Sequence, residues 1–254
     1  MKKNLLKEKL LKGEVASGVL IQDPIPHVVE VLALLGFDWL FIDCEHSSLS
    51  LSEVGQLVIA AEARDMTPLV RVPQNLPEVI LPYLDAGAMG IIIPGVESVE
   101  DCRVAVRGAK YAPEGVRGLA QVRSADYGLC GPMGEYVKAA NRETLVLVVV
   151  EDSQGVENIE GILGTEGIDG VMIGSTDLSQ SLKFPGQTAH PVVVEAINKI
   201  LAEGKKVGKP IGGVVRSGET PRQYIENGYQ LLLTSVYGLL IGAGKQFLGN
   251  TRAC

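Results

Sequence analysis

Four apolar runs in this 254-residue chain each end in a side chain fit for catalysis. Phe37-Asp38-Trp39-Leu40-Phe41-Ile42 leads into Asp43-Cys44-Glu45-His46, and Pro68-Leu69-Val70 leads into Arg71. Leu145 through Val150 ends at Glu151, and Gly170-Val171-Met172-Ile173-Gly174 leads through Ser175-Thr176 to Asp177. Glu151 and Asp177 are hard oxygen donors on sequential strands. Held close, they repel unless a cation or a proton sits between them, and two such ligands suit Mg²⁺ or Mn²⁺ with water or substrate completing the shell. The competing reading makes Asp177 the cap of a helix beginning at Leu178 and Glu151 an exposed strand end; spacing alone leaves both open. His46 stands where a general base would work near neutral pH, or is an ordinary loop histidine. Arg71 calls for an anion: a substrate carboxylate or oxyanion, or a salt bridge to Asp43 or Glu45. Gly174, Ser175 and Thr176 offer backbone N–H groups ahead of a helix, a cradle for an anion. Asp85 closes a helical stretch, where a negative charge opposes the helix dipole; a residue kept against local preference invites another role. His27 and His190 each stand next to a helix start and read as structural.

Positioning these groups requires parallel strands. Unbroken β-branched runs mark strands covered on both faces, and parallel α/β folds carry their chemistry at the carboxyl ends of those strands. Strands are expected near 17–22, 38–43, 68–72, 89–93, 145–150, 169–173, 210–214 and 230–235. Helices are expected over Pro26–Leu35, Leu51–Arg64, Leu76–Asp85 and Pro191–Glu203. Gly36, Gly87 and Gly228 fall where a helix hands over to a strand, a place for left-handed backbone. Eight strands with helical crossovers predict a (β/α)8 TIM barrel of the α/β class, one domain over residues 1–254. A doubly wound open sheet is the rival, but no G-x-G-x-x-G opens a helix after the first strand, which argues against dinucleotide binding. The stretch 111–144 is the largest insertion between strands and is expected to cover the barrel mouth.

Composition narrows the partners. A formal charge of −7 leaves no basic footprint for nucleic acid. No run of about 18 apolar residues provides a membrane span. The N-terminus reads as an amphipathic helix rather than a signal peptide. Cys44, Cys102, Cys130 and Cys254 are widely spaced without a CxxC pair, which speaks against zinc or a disulfide framework and for a reducing cytoplasm.

These segments together resemble the class II, metal-dependent pyruvate aldolases of the HpcH/HpaI family. The resemblance is carried by residues 37–46, Val70-Arg71-Val72-Pro73, Leu84-Asp85-Ala86-Gly87-Ala88 with Ile91-Ile92-Ile93-Pro94, residues 111–118, and residues 167–174 with Asp177-Leu178-Ser179. It implies a barrel, often hexameric, with the last helix exchanged between subunits. It implies Mg²⁺, Mn²⁺ or Co²⁺ held by Glu151 and Asp177, and a small 2-oxo acid as substrate. Arg71 would bind the keto oxygen and stabilise the enolate, and backbone around Gly174, Ser175 and Thr176 would take the carboxylate. His46 would act as base with Asp85 supplied by the adjacent subunit.

The chain departs from the family pattern twice. Val149 stands where many members have Gln, and Ser175-Thr176 where many have Pro-Ala. The expected reaction is reversible aldol cleavage of a 4-hydroxy-2-oxo acid to pyruvate and an aldehyde. Oxaloacetate decarboxylation or CoA-thioester lysis through the same enolate is a second reading, and a non-catalytic binding barrel a third.

Overall fold

Eight short strands, each buried along almost its whole length, can satisfy their backbone groups only by pairing on both sides, and here they close on themselves. The computed structural model describes residues 2–129, 131–215 and 219–252. The strands are β1 (Ala16–Ile21), β2 (Trp39–Asp43), β3 (Thr67–Arg71), β4 (Gly90–Ile93), β5 (Leu145–Val150), β6 (Gly170–Ile173), β7 (Ile211–Val214) and β8 (Leu231–Ser235). All pairings are parallel, in sequence order, and β8 returns to β1. Each strand begins and ends within a residue of expectation.

The helices are α1 (Leu5–Leu11), α2 (Pro26–Leu34), α3 (Leu51–Glu62), α4 (Pro77–Asp85), α5 (Val99–Ala109) and α6 (Met133–Glu143). They continue with α7 (Ser153–Glu157), α8 (Ile159–Gly164), α9 (Ser175–Ser181), α10 (Pro191–Val207), α11 (Pro221–Glu226) and α12 (Val236–Arg252). α3 starts on a reciprocal cap in which Ser50 and Glu53 each bond the other's backbone N–H. α10 runs past Glu203 to Val207, where Gly208 ends it at φ +68. Gly36, Gly87 and Gly228 all take positive φ, as the helix-to-strand turns demand.

Alternation along the strands separates two apolar layers. Leu40, Ile42, Val146 and Val148 face the surrounding helices, while Trp39, Phe41, Leu145 and Leu147 fill the barrel interior. Trp39 fits because its neighbour is Gly18, where a Cβ would lie 2.1 Å from the indole. α1 plugs the N-terminal end with Leu6 and Leu10. Its cap, Asn4, donates to the carbonyls of Met89 (3.0 Å) and Glu143 (2.9 Å).

One expectation is overturned. The described residues of 111–144 do not cover the mouth. They follow α5, the helix that carries the chain from the end of β4 back to the N-terminal face. The segment packs there beside α4, with Asn141 clasping the Tyr111 backbone through both its oxygen (2.8 Å) and its nitrogen (2.9 Å). Lys110 is buried at its root and donates to the carbonyls of Asn141 and Thr144; burial pulls its pKa down to about 8.

Candidate active site

At the strand ends the inward register passes from apolar to polar. Gln22, Asp43, Arg71 and Glu151 lie two residues beyond the interior positions Leu20, Phe41, Leu69 and Val149, so all four continue onto the barrel mouth. Asp43 is completely buried and forms the floor of this group. Arg71 Nε and Nη2 donate to its two oxygens at 3.0 and 2.8 Å. Asp43 also accepts from Gln22 Nε2 at 2.8 Å and from the backbone N–H groups of Glu45 and His46, each at 3.2 Å. Burial pushes the Asp43 carboxyl up, but Arg71 and these donors outweigh it and hold it below its ordinary value.

Arg71 is itself locked. Nη1 lies 3.0 Å from Glu45 Oε2, and the guanidinium sits 5.4 Å from the centre of the Phe41 ring. Burial alone would lower its pKa, yet Asp43, Glu45 and Glu151 raise it, so the cation is fixed. The Arg71–Glu45 contact has ion-pair distance but not hydrogen-bond angles. Glu45 Oε2 is therefore buried without a hydrogen-bond donor among the described residues. His46 Nε2 stands 3.7 Å from the same oxygen, on a largely exposed ring. Gln22 Nε2 also reaches the His46 carbonyl at 3.0 Å, tying the end of β1 to the loop that carries His46.

Glu151 faces this cluster from β5. Its Oε1 accepts the Gly95 N–H at 2.7 Å. Burial raises its pKa; Gly95 and Arg71 oppose this, while the charges of Glu45 and Asp177 reinforce it. Gly174 must be glycine because a Cβ would lie 2.6 Å from both Cβ and Oε2 of Glu151. Val149, buried one inward position below Glu151, would be 3.3 Å from the same Cβ. Asp177 is exposed in the first turn of α9, which starts at Ser175; it is not the cap of a helix starting at Leu178. The Gly174 N–H is committed to the Val150 carbonyl at 3.1 Å, so Gly174 gives the mouth space rather than a donor. Ser175 and Thr176 precede any intrahelical acceptor.

The structure thus gathers Asp43, Glu45, His46, Arg71 and Glu151 by direct contact or charge, with Asp177 close enough to act on Glu151. It does not bring Asp85 to them. Asp85 ends α4, on the N-terminal face of the same barrel, where Arg117 Nη2 meets its Oδ1 at 2.9 Å. The salt bridges offered by sequence as the alternative role of Arg71, to Asp43 or Glu45, both form; Gln22 and Gly95 were not singled out by sequence, although Gln22 also lies just past a strand end. No group of three or more His, Cys, Asp or Glu side chains suited to a metal occurs among the described residues. No helix among them is long and apolar enough to cross a membrane. Cys44 and Cys102 are free thiols, the Cys44 thiol pushed up to about 12 chiefly by burial; Cys130 and Cys254 lie outside the described residues.

A separate cavity of about 630 Å³ opens on the outer wall beside β1 and β8, lined by Leu35, Phe37, Pro221, Leu232 and Leu239 among others. α12 passes it and exposes Leu240, Ile241, Phe247 and Leu248.

Residues 17–240 match the family described as HpcH/HpaI aldolase/citrate lyase. The chain is 37% identical over 203 residues to the 5-keto-4-deoxy-D-glucarate aldolase of Escherichia coli (strain K12), spanning 80% of this chain and 78% of that protein. Among solved structures, an HpcH/HpaI aldolase/citrate lyase family protein from Burkholderia cenocepacia J2315 superposes with a TM-score of 0.92 at 34% identity, covering 98% of this chain and 100% of that one. An HpcH/HpaI aldolase from Desulfitobacterium hafniense DCB-2 gives 0.90 at 31% identity, covering 98% and 97%. A closed parallel barrel with its polar groups gathered at the strand ends, and a family match across nearly its whole length, place this chain in the HpcH/HpaI aldolase/citrate lyase family.

Proposed function

We propose that this family member is a divalent-metal-dependent pyruvate aldolase, cleaving a 4-hydroxy-2-oxo acid reversibly to pyruvate and an aldehyde. The observation that carries the reading is the charge arrangement at Glu151: a half-buried carboxylate beside Glu45 and Asp177, whose charges push its pKa up, with Arg71, the cation that opposes them, already engaged by Asp43 and Glu45. Such a donor set fits a hard cation. Glu151 and Asp177 would hold it, and two carboxylates suffice for an ion such as Mg²⁺ that keeps waters or substrate oxygens in its remaining positions. When bound, Mg²⁺, Mn²⁺ or Co²⁺ supplies Lewis acidity to the ketone of the substrate.

The protein groups do the rest. Arg71, locked by three contacts, presents fixed positive charge to the oxygen that becomes enolate, at no cost of reorganisation. The first-turn N–H groups of Ser175 and Thr176 receive the substrate carboxylate. His46 accepts the 4-hydroxyl proton as the C3–C4 bond breaks and returns it in the condensation direction. By the family resemblance its partner would be Asp85 of an adjacent copy; Asp85 of its own chain lies across the barrel.

On this reading the enzyme is a homo-oligomer, a hexamer by family resemblance. The exposed apolar side of α12 and the open cavity on the β1–β8 wall support an exchanged last helix. Mixing inactive Asp85→Ala and His46→Ala subunits should restore activity after reassembly. A fully active monomer at assay concentration would refute the shared site. Four widely spaced cysteines without a CxxC pair suit a cytoplasmic enzyme.

Acceptor preference should depart from that of relatives with an amide at the position of Val149. A valine beneath Glu151 cannot pair a polar substrate group, which would go unmatched at about 1–3 kcal/mol. The pyruvate half should bind unchanged, while highly hydroxylated sugar-acid aldehydes lose ground to simpler ones. Kinetics on 2-dehydro-3-deoxyglucarate beside simpler 4-hydroxy-2-oxo acids measure this. A strong preference for the glucarate compound, unaltered by Val149→Gln, would contradict it.

The reaction class itself is tested by incubating metal-loaded protein with pyruvate and a panel of aldehydes. Condensation products are expected. Pyruvate release from oxaloacetate with no condensation would favour the decarboxylase reading instead.

A further inference from the structure

The 111–144 segment has a buried arginine that the reaction leaves unused. Arg117 has only 1% of its side chain exposed, and its ion-pair partner is Asp85. It is braced from behind by residues of the same segment. Nη2 also donates to Ser124 Oγ at 3.2 Å, and the guanidinium lies 4.6 Å from the centre of the Tyr111 ring. The Tyr111 and Tyr136 hydroxyls approach to 3.2 Å, and Tyr136 donates to Ser124 Oγ at 3.0 Å, closing a ring of polar contacts around the arginine. Arg117 Nε is buried without a hydrogen-bond partner among the described residues. The bracing is one-sided: the arginine is sunk in the segment, whereas Asp85 keeps 21% of its side chain at the surface. A planar guanidinium fixed at its rear constrains the direction of a carboxylate in front of it more closely than a flexible ammonium would.

We propose that Arg117 is the positioning residue for Asp85, and that the 111–144 segment is the platform holding this carboxylate at the angle a neighbouring copy's His46 requires. The proposal rests on the reading above in which Asp85 serves the adjacent subunit. It assigns to the largest excursion of the chain a part in catalysis although that excursion lies on the face opposite its own barrel mouth. Arg117 touches neither substrate nor metal, so its removal acts through the Asp85 of its own chain on the site next door.

The test is a complementation assay with the assembled protein. Arg117→Gln is expected to lower kcat about 10²-fold, the scale of a misplaced group, with KM for pyruvate and Mn²⁺ binding unchanged. Arg117→Lys should recover only part of that loss. Mixed with His46→Ala subunits and reassembled, Arg117→Gln should regain activity at up to about one site in four, because each partner supplies what the other lacks. Mixed with Asp85→Ala subunits it should regain none, since both lesions fall on the same carboxylate. Recovery in the Asp85→Ala mixture, or wild-type kcat in Arg117→Gln beside an inactive Asp85→Ala, overturns the proposal and leaves the role of Asp85 standing. Wild-type activity in Asp85→Ala overturns the shared-site reading and the proposal together. If Arg117→Gln fails to assemble, Arg117→Lys and Ser124→Ala carry the same mixing test, and recovery of either with Asp85→Ala counts against it.

Discussion

Glu151→Gln should leave a folded barrel that no longer binds a divalent ion and no longer catalyses. The substitution keeps size and the oxygen that accepts the Gly95 N–H, but removes the charge that faces Asp177 and Glu45. Losing a direct ligand should exceed the roughly 10–100-fold loss of metal affinity seen when only a ligand's supporting group is changed. Asp177→Asn should behave alike, since Asp177 is the other proposed ligand. Stability should not fall with affinity: relieving the repulsion at Glu151 favours the metal-free fold, so thermal unfolding without metal should be unchanged or slightly raised. In the parent protein, excess chelator should abolish activity and Mg²⁺, Mn²⁺ or Co²⁺ should restore it. Full activity in chelator with no metal detected in the protein would sink this part of the account.

The second large effect belongs to the proton and enolate groups. His46→Ala should lose roughly 10²–10⁴-fold in aldol cleavage, the range for a missing general acid–base group. Its ring is largely exposed and only loosely paired with Glu45, so the fold should not notice. Arg71→Lys should be nearly as poor for another reason. Lysine keeps the charge but cannot reach both oxygens of Asp43 and Glu45 at once, so the cation loses its direction. It also leaves Asp43, a completely buried carboxylate, with weaker support. Asp43 is held below its ordinary value in the folded chain, so it contributes stability above the usual carboxylate range and loses it as pH falls through the lowered value. In Arg71→Lys that acid-induced loss should begin at higher pH. Near-normal cleavage in both variants would count decisively against these roles.

The strands were legible in the sequence because burial on both faces forces unbroken apolar runs, and a run such as Leu145–Val150 has no other reading. The same rule exposed Arg71 and Glu151, since a charge directly after such a run stands at a strand mouth, and Asp177 follows within four residues of β6, in the first turn of α9. It missed Gln22, which follows Val19-Leu20-Ile21 in the same way but carries no charge to mark it. Misplacing 111–144 has a single cause: the amphipathic helix Val99–Ala109 was not recognised. Its apolar side, with Cys102 and Ala105 buried, is interleaved with Glu100, Asp101, Arg103 and Arg107. Without that helix the excursion follows β4 directly and lands at the mouth; with it, the excursion lands at the opposite face. Asp85 could be flagged as oddly placed but not located, because its proposed partner is on another chain and one sequence contains no register between copies.

The central claim is that this mouth generates the enolate of pyruvate with a divalent ion held by Glu151 and Asp177. Exchange of the pyruvate methyl protons with solvent deuterium, followed by NMR without any aldehyde, reads that step alone. The account predicts exchange by the metal-loaded protein, none in excess chelator, and none in Glu151→Gln at the same metal concentration. Exchange that persists in chelator, or that survives Glu151→Gln at the parent rate, would contradict it.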